Sequence, residues 1–179
     1  PELAEESFSE YHLYTLDRPA TLRDRETQSL TMLETREVKF TPRYLVRPGT
    51  AVAAQLEFVN AKENGLGLPV AGGRVRVFEG DASGAGQFAG ESSVRHVAAG
   101  EKFTVELGNA FDLAAERKVL AERRISDRER EVEIEIELRN RKSVDVTFTV
   151  EEPVGGDSQV VKTTHEPRRK DANTLEWKL

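Results

Sequence analysis

The stretch "EVEIEIEL", Glu131 to Leu138, alternates strictly: Val132, Ile134, Ile136 and Leu138 fall between Glu131, Glu133, Glu135 and Glu137. A period of two puts apolar groups on one strand face and carboxylates on the other, whereas a helix would scatter both around its axis. The stretch is therefore expected to be a strand with one dry face and one wet face. After the polar segment "RNRKS" the alternation resumes with Val144, Val146, Phe148 and Val150, and the two runs read as a β-hairpin.

Working outward, comparable patches recur at 11–16, 26–33, 38–46, 51–59, 74–78, 87–94, 102–107, 158–164 and 173–179. Turn-forming segments separate them: "RPGT", "ENGLGLPVAGG", "GDASGAG", "AAGE", "EPVGGD" and "HEPRRKDAN". Many short strands at even spacing predict an all-β protein of sandwich architecture. Residues 1–109 carry 12 basic and 16 acidic side chains, and residues 110–179 carry 14 and 16, a much denser charge. A smaller module has more surface to charge. The expected organisation is a disordered tail at 1–7, a β-sandwich unit at 8–109, and a packed immunoglobulin-like unit at 110–179.

The chain has no cysteine, which removes disulfides, thiol nucleophiles and Cys-ligated metals, and its net charge is −6. An acidic balance argues against a nucleic-acid footprint. No apolar run approaches the ~20 residues of a membrane span, so direct membrane insertion is not expected.

"GNAFDLAAERKVL", Gly108 to Leu120, is the most ambiguous stretch. By propensity, "DLAAERKVLAERR" is a helix that Asp112 would cap. Read as extended chain, it groups Leu113, Ala115, Val119, Ala121 and Ile125. The glutamate stripe bears on the choice, since carboxylates spaced two residues apart repel by about 0.6 kcal/mol per pair in water. Cations on a neighbouring strand would offset that repulsion by ~0.2–1 kcal/mol each.

Several stretches together resemble one family: "SEYHLYTLDRPATL", "NGLGLPVAGGRVRVFEGDASGAGQFAGE", "LGNAFDLAAERKVL", "ELRNRKSVDVTFTVEE" and "DANTLEWKL". It is the domain of unknown function at the C-terminal end of proteins similar to mucoidy inhibitor A. The resemblance covers most of 8–179. It implies an extended β-rich domain in a cell-envelope or secreted setting, with no established reaction, no catalytic residues and no cofactor. It also implies β-branched residues where this chain has Leu113 and Ala114, which tips 112–125 towards strand. Residues 112–125 are then expected to pair antiparallel with 128–139 as a charge ladder. In that ladder, of which Glu116 is also a member, the cations Arg117, Lys118, Arg123 and Arg124 would answer Glu131, Glu133, Glu135 and Glu137. Members of the family run one strand further than "DANTLEWKL", which implies an open sheet edge at 173–179 or its neighbour.

Candidate chemistry is sparse. "NGLGLPVAGG" has Gly65 and Gly67 but Val70 where a dinucleotide fingerprint needs glycine, so it is expected to be a corner with positive φ. His12, His96 and His165 are isolated from any metal spacing, and Asp127, Glu129 and Glu131 lack the glycine and distal glutamate of a calcium loop. "EPRRK" is expected to be a solvated turn, and Phe8, Tyr11, Tyr14 and Trp177 to pack in a core. The leading function is a non-enzymatic interaction or structural module that meets a protein partner, or itself, through exposed sheet edges. The alternative is a hydrolase or carbohydrate-processing enzyme with a site between the β units, for which Glu91, His96, Asn109 and Asp112 are the residues to inspect.

Overall fold

The structure, a computed structural model, describes residues 4–8, 11–15, 19–31, 35, 37–80 and 83–179. Among these the chain forms strands and one short 3-10 turn, Lys62–Asn64, and no α-helix. The strands are β1 (Ala4–Phe8), β2 (Tyr11–Thr15), β3 (Phe40–Val46), β4 (Ala53–Val59), β5 (Gly73–Gly80) and β6 (Gly86–Val94). They continue with β7 (Lys102–Asn109), β8 (Leu113–Arg124), β9 (Arg130–Asn140), β10 (Phe148–Pro153), β11 (Arg168–Asp171) and β12 (Thr174–Lys178). The protein is an all-β sandwich.

Six strands make one mixed sheet in the order β11-β12-β10-β3-β4-β7, and β1-β2, β5-β6 and β8-β9 each form a two-stranded sheet. β10 runs parallel to β3, with Phe148 beside Tyr44 and Val150 beside Val46, and antiparallel to β12, with Val150 opposite Trp177. Tyr44, Val46, Phe148, Val150 and Trp177 therefore share one sheet face. That face packs on the near end of the β8-β9 hairpin: Val46, Val52, Leu113, Phe148 and Val150 are the buried cluster, with Ala115, Ile136 and Leu138 against it. The dry face of "EVEIEIEL" thus does what its period of two demands, but only at its C-terminal half.

Two compact units divide the chain. One comprises Pro1–Phe40, Phe58–Arg74 and Ser93–Phe103; the other comprises Thr41–Glu57, Val75–Ser92 and Thr104–Leu179. Residues on both sides of 110 lie in the second unit, so the change in charge density there follows the exposure of β8 and β9 and does not mark a junction. In the first unit Phe58 stacks on Phe103 at 5.0 Å and meets Phe40 at 5.9 Å. Asn60, fully buried, donates through Nδ2 to the carbonyls of Leu68 (2.9 Å), Val97 (3.2 Å) and Ala98 (2.9 Å), and accepts from the Gly67 N–H at 2.8 Å. This hub fixes the "NGLGLP" corner, where Gly65 (φ 82°) and Gly67 (φ 106°) take the left-handed backbone that the sequence anticipates.

Several expectations are corrected. β9 and β10 do not form a hairpin: β9 pairs with β8, and β10 joins the large sheet. Alternation specifies a strand, not its neighbour. Residues 26–31 and 158–164 are not strands, and Leu30, Val160 and Val161 stay exposed, because no neighbouring strand receives them. The basic run "EPRRK" is no mere turn; it runs into β11, which caps the sheet beside β12. β12 is consequently interior, and among the described residues the sheet edge falls on its neighbour β11, the second of the two places expected for it. Ala4–Ser7, within the tail at 1–7 expected to be disordered, pair with β2. The side chains of Phe8, Tyr11 and Tyr14, expected in a core, lie outside the described residues.

Candidate functional site

β8 and β9 pair antiparallel from Leu113 opposite Asn140 to Arg124 opposite Arg130, so the helix-favouring "LAAERKVLAERR" is strand. Burial of Leu113 and Ala115 against the sheet and the cross-strand fit of Lys118 to Glu135 and Val119 to Ile134 override intrinsic propensity, which amounts to tenths of a kcal/mol per residue. One hairpin face carries Leu113, Ala115, Arg117 and Val119 with Leu138, Ile136 and Ile134; the other carries Glu116, Lys118 and Arg123 with Glu137, Glu135, Glu133 and Glu131. A register shift between Val119 and Ala121 leaves Leu120 as a bulge residue.

The expected ladder is therefore only partly assembled. Arg123 meets Glu131 at 3.4 Å, and Arg139 bridges Glu116 (2.6 Å) and Glu137 (3.2 Å). Lys118 binds Glu116 on its own strand at 3.1 Å, and this contact holds the Glu116 carboxyl below its ordinary value. Arg117 and Arg124 do not face the glutamates, because each projects from the opposite hairpin face. Arg124 binds Asp127 in the turn at 2.6 Å. Arg117 binds Glu152 of β10 bidentately, Nη2 to Oε1 at 2.7 Å and Nε to Oε2 at 3.0 Å.

Near this pair lies a cavity of about 280 Å³, floored by Val46, Ala115, Ile136 and Val150 and rimmed by Arg47, Arg117, Glu151 and Glu152. Glu151 is buried and receives Lys170 Nζ at 2.6 Å and Arg47 Nε at 3.0 Å. Burial alone would raise its pKa, but hydrogen bonds from Lys170 and Arg47 outweigh burial and hold it below the usual glutamate value. A carboxylate kept ionised in this way is a structural anion and a poor proton donor. Glu176, opposite Glu151 in the register, is answered by Arg168 at 2.8 Å. These buried glutamates explain the basic composition of β11, and "TVEEP" and "TLEWK" held that signal in the sequence.

The residues proposed for inspection do not gather at the cavity, whose lining includes none of Glu91, His96, Asn109 and Asp112. Glu91 binds Arg76 across β5 and β6 at 2.6 Å, and His96 Nδ1 accepts from the Gly72 N–H at 3.1 Å. Asn109 ends β7, and Asp112 is exposed just before β8. Among the described residues no group of three His, Asp or Glu is placed to hold a metal, and no helix is long and apolar enough to cross a membrane.

Beyond the cavity the hairpin is open to solvent. Every residue from Lys118 to Arg124 is exposed, including Val119 (52%) and Leu120 (54%), and Ile125 and Val132 follow them. Exposed apolar groups on a paired but uncovered ribbon are the surface feature that sequence reasoning missed, because Val119 and Val132 looked like core. Comparison with protein-family models, curated proteins and solved structures gives no match.

Proposed function

We propose that the chain is a non-enzymatic interaction module of the mucoidy-inhibitor-A-like C-terminal type, with residues 110–179 immunoglobulin-like, acting in the cell envelope or outside the cell. The carrying observation is the far half of β8-β9, a two-stranded ribbon whose outer edges have no strand partner among the described residues and which exposes Val119, Leu120, Ile125 and Val132. Natural proteins shorten, cover or distort such edges unless they are used.

The test is to replace residues 119–134 by an Asn-Gly turn, which closes a hairpin tightly and leaves Lys118 opposite Glu135 as in the native register. The shortened chain should keep its circular dichroism spectrum and lose a specific cross-linked adduct formed by the native chain in envelope extracts. An undiminished adduct from the shortened chain overturns the proposal.

A further inference from the structure

The two edges of the ribbon are not equivalent. Each of β8 and β9 has one neighbour only, and among the described residues no backbone hydrogen bond from Arg130–Asn140 goes to a residue outside the strand pair. The bulge at Leu120 interrupts the even spacing of N–H and C=O groups on β8, which blunts that edge against a new strand. β9 has the regular edge: Arg130–Asn140 contains neither proline nor glycine, and the register shift falls on β8.

Charge then selects the occupant. From 131 to 138 every charged residue of β9 is a glutamate, all on one face, and every residue on the other face is aliphatic. Arg123 answers Glu131 and Arg139 answers Glu137, but Glu133 stands opposite Ala121, and Lys118, opposite Glu135, is held by Glu116. Glu133 thus has no ion-pair partner among the described residues, and Glu135 is answered by Lys118 only across the strands, beyond ion-pair distance. A second copy of β9 would set glutamate against glutamate, and a second copy of β8 would bring its bulge to the interface.

We propose that the outer edge of β9 accepts, by strand addition, an extended segment of a partner protein in which Lys or Arg alternates with apolar residues. The cations would lie beside Glu133 and Glu135, at the ~5 Å spacing of directly opposite residues, and the apolar side chains would extend the Val132–Ile134 face. This rests on the interaction reading above and assigns its edge and its partner chemistry.

The probe is a fluorescent peptide of alternating Lys and Val, titrated into the whole chain by anisotropy. Controls are a peptide of the same composition with its lysines grouped, and an alternating Glu-Val peptide. The alternating Lys-Val peptide should bind saturably and protect β9 amides from hydrogen exchange. Glu133→Lys with Glu135→Lys should weaken it about tenfold or more. Equal binding of the grouped-lysine peptide, absence of β9 protection, or an unweakened double variant overturns the assignment. Failure of the alternating peptide to bind overturns it too, while leaving the broader reading to stand or fall on the shortened chain.

Discussion

The near and far halves of the β8-β9 hairpin are built from the same alternation and the same kinds of residue, yet they have opposite fates. At the near end Leu113, Ala115, Ile136 and Leu138 pack on Val46, Phe148 and Val150. At the far end Val119 and Leu120 are more than half exposed, at 52% and 54%. Binary pattern fixes backbone conformation and the face each side chain takes. Burial depends on what lies across from that face, and the large sheet reaches only the first turns of the ribbon. The far half is therefore free to act as a surface.

The largest effects belong at the near end. Leu113→Ala removes a buried side chain and should destabilise the protein by about 2–5 kcal/mol in urea denaturation. Leu120→Ala in the same strand should stay within about 0.5 kcal/mol. Comparable losses from both would mean that the far half is covered in solution, and the contrast would collapse.

The cations of β8 allow a finer division. Arg117 and Arg123 both pair with glutamate, but Glu152 is buried whereas Arg123 and Glu131 are exposed at 73% and 43%. Arg117→Ala strands a buried carboxylate and should cost about 3 kcal/mol, whereas Arg123→Ala should cost about 0–1 kcal/mol. Replacing the first pair by Arg117→Met with Glu152→Leu should recover most of the loss, because apolar pairs of similar volume match buried ion pairs. A persistent loss in that double variant would make the pair an obligatory part of the cavity wall.

These contrasts also mark what the sequence made legible. The all-β class, the strand character of 131–138 and the glycine corner at 65–67 follow from local chemistry: a period of two and a need for positive φ. Partner choice was not local. β9 pairs backwards with β8, while β10 crosses to β3 and β12, because the hydrophobic period of two is satisfied by any strand that offers an apolar face. The buried hub at Asn60 and the buried anions Glu151 and Glu176 were invisible for a related reason. A polar residue in a strand looks solvated until the carbonyls or cations that satisfy it, eight to over a hundred residues away, are in place. Among the ladder residues, Arg123 and Glu131 were legible from opposite charge at matched distance from a turn. The departure of Arg117 to Glu152 required knowing that β10 lies beneath it.

The smallest effect separates the two regions by pH. Facing Glu151 are Arg47, at the turn after β3, and Lys170 of β11, with Glu176 of β12 opposite and Arg168 beyond it. Burial acts to raise the Glu151 pKa, but the bonds from Lys170 and Arg47 bring it below the ordinary glutamate value in the folded state. A folded-state pKa below the unfolded one means that the unfolded chain binds the proton first as pH falls. The stabilisation is therefore complete above the unfolded glutamate value and disappears as pH drops through the lower, folded one. Urea midpoints measured downward from neutral pH should fall through this acidic window, and Glu151→Gln should flatten that decline. Glu116 on the ribbon is also held low by Lys118, but its side chain is 43% exposed, so Glu116→Gln should leave the profile nearly unchanged. If Glu116→Gln flattened the curve as much as Glu151→Gln, the ribbon's carboxylates would be as shielded from water as those of the sheet, and the distinction between a packed base and an open arm would fail.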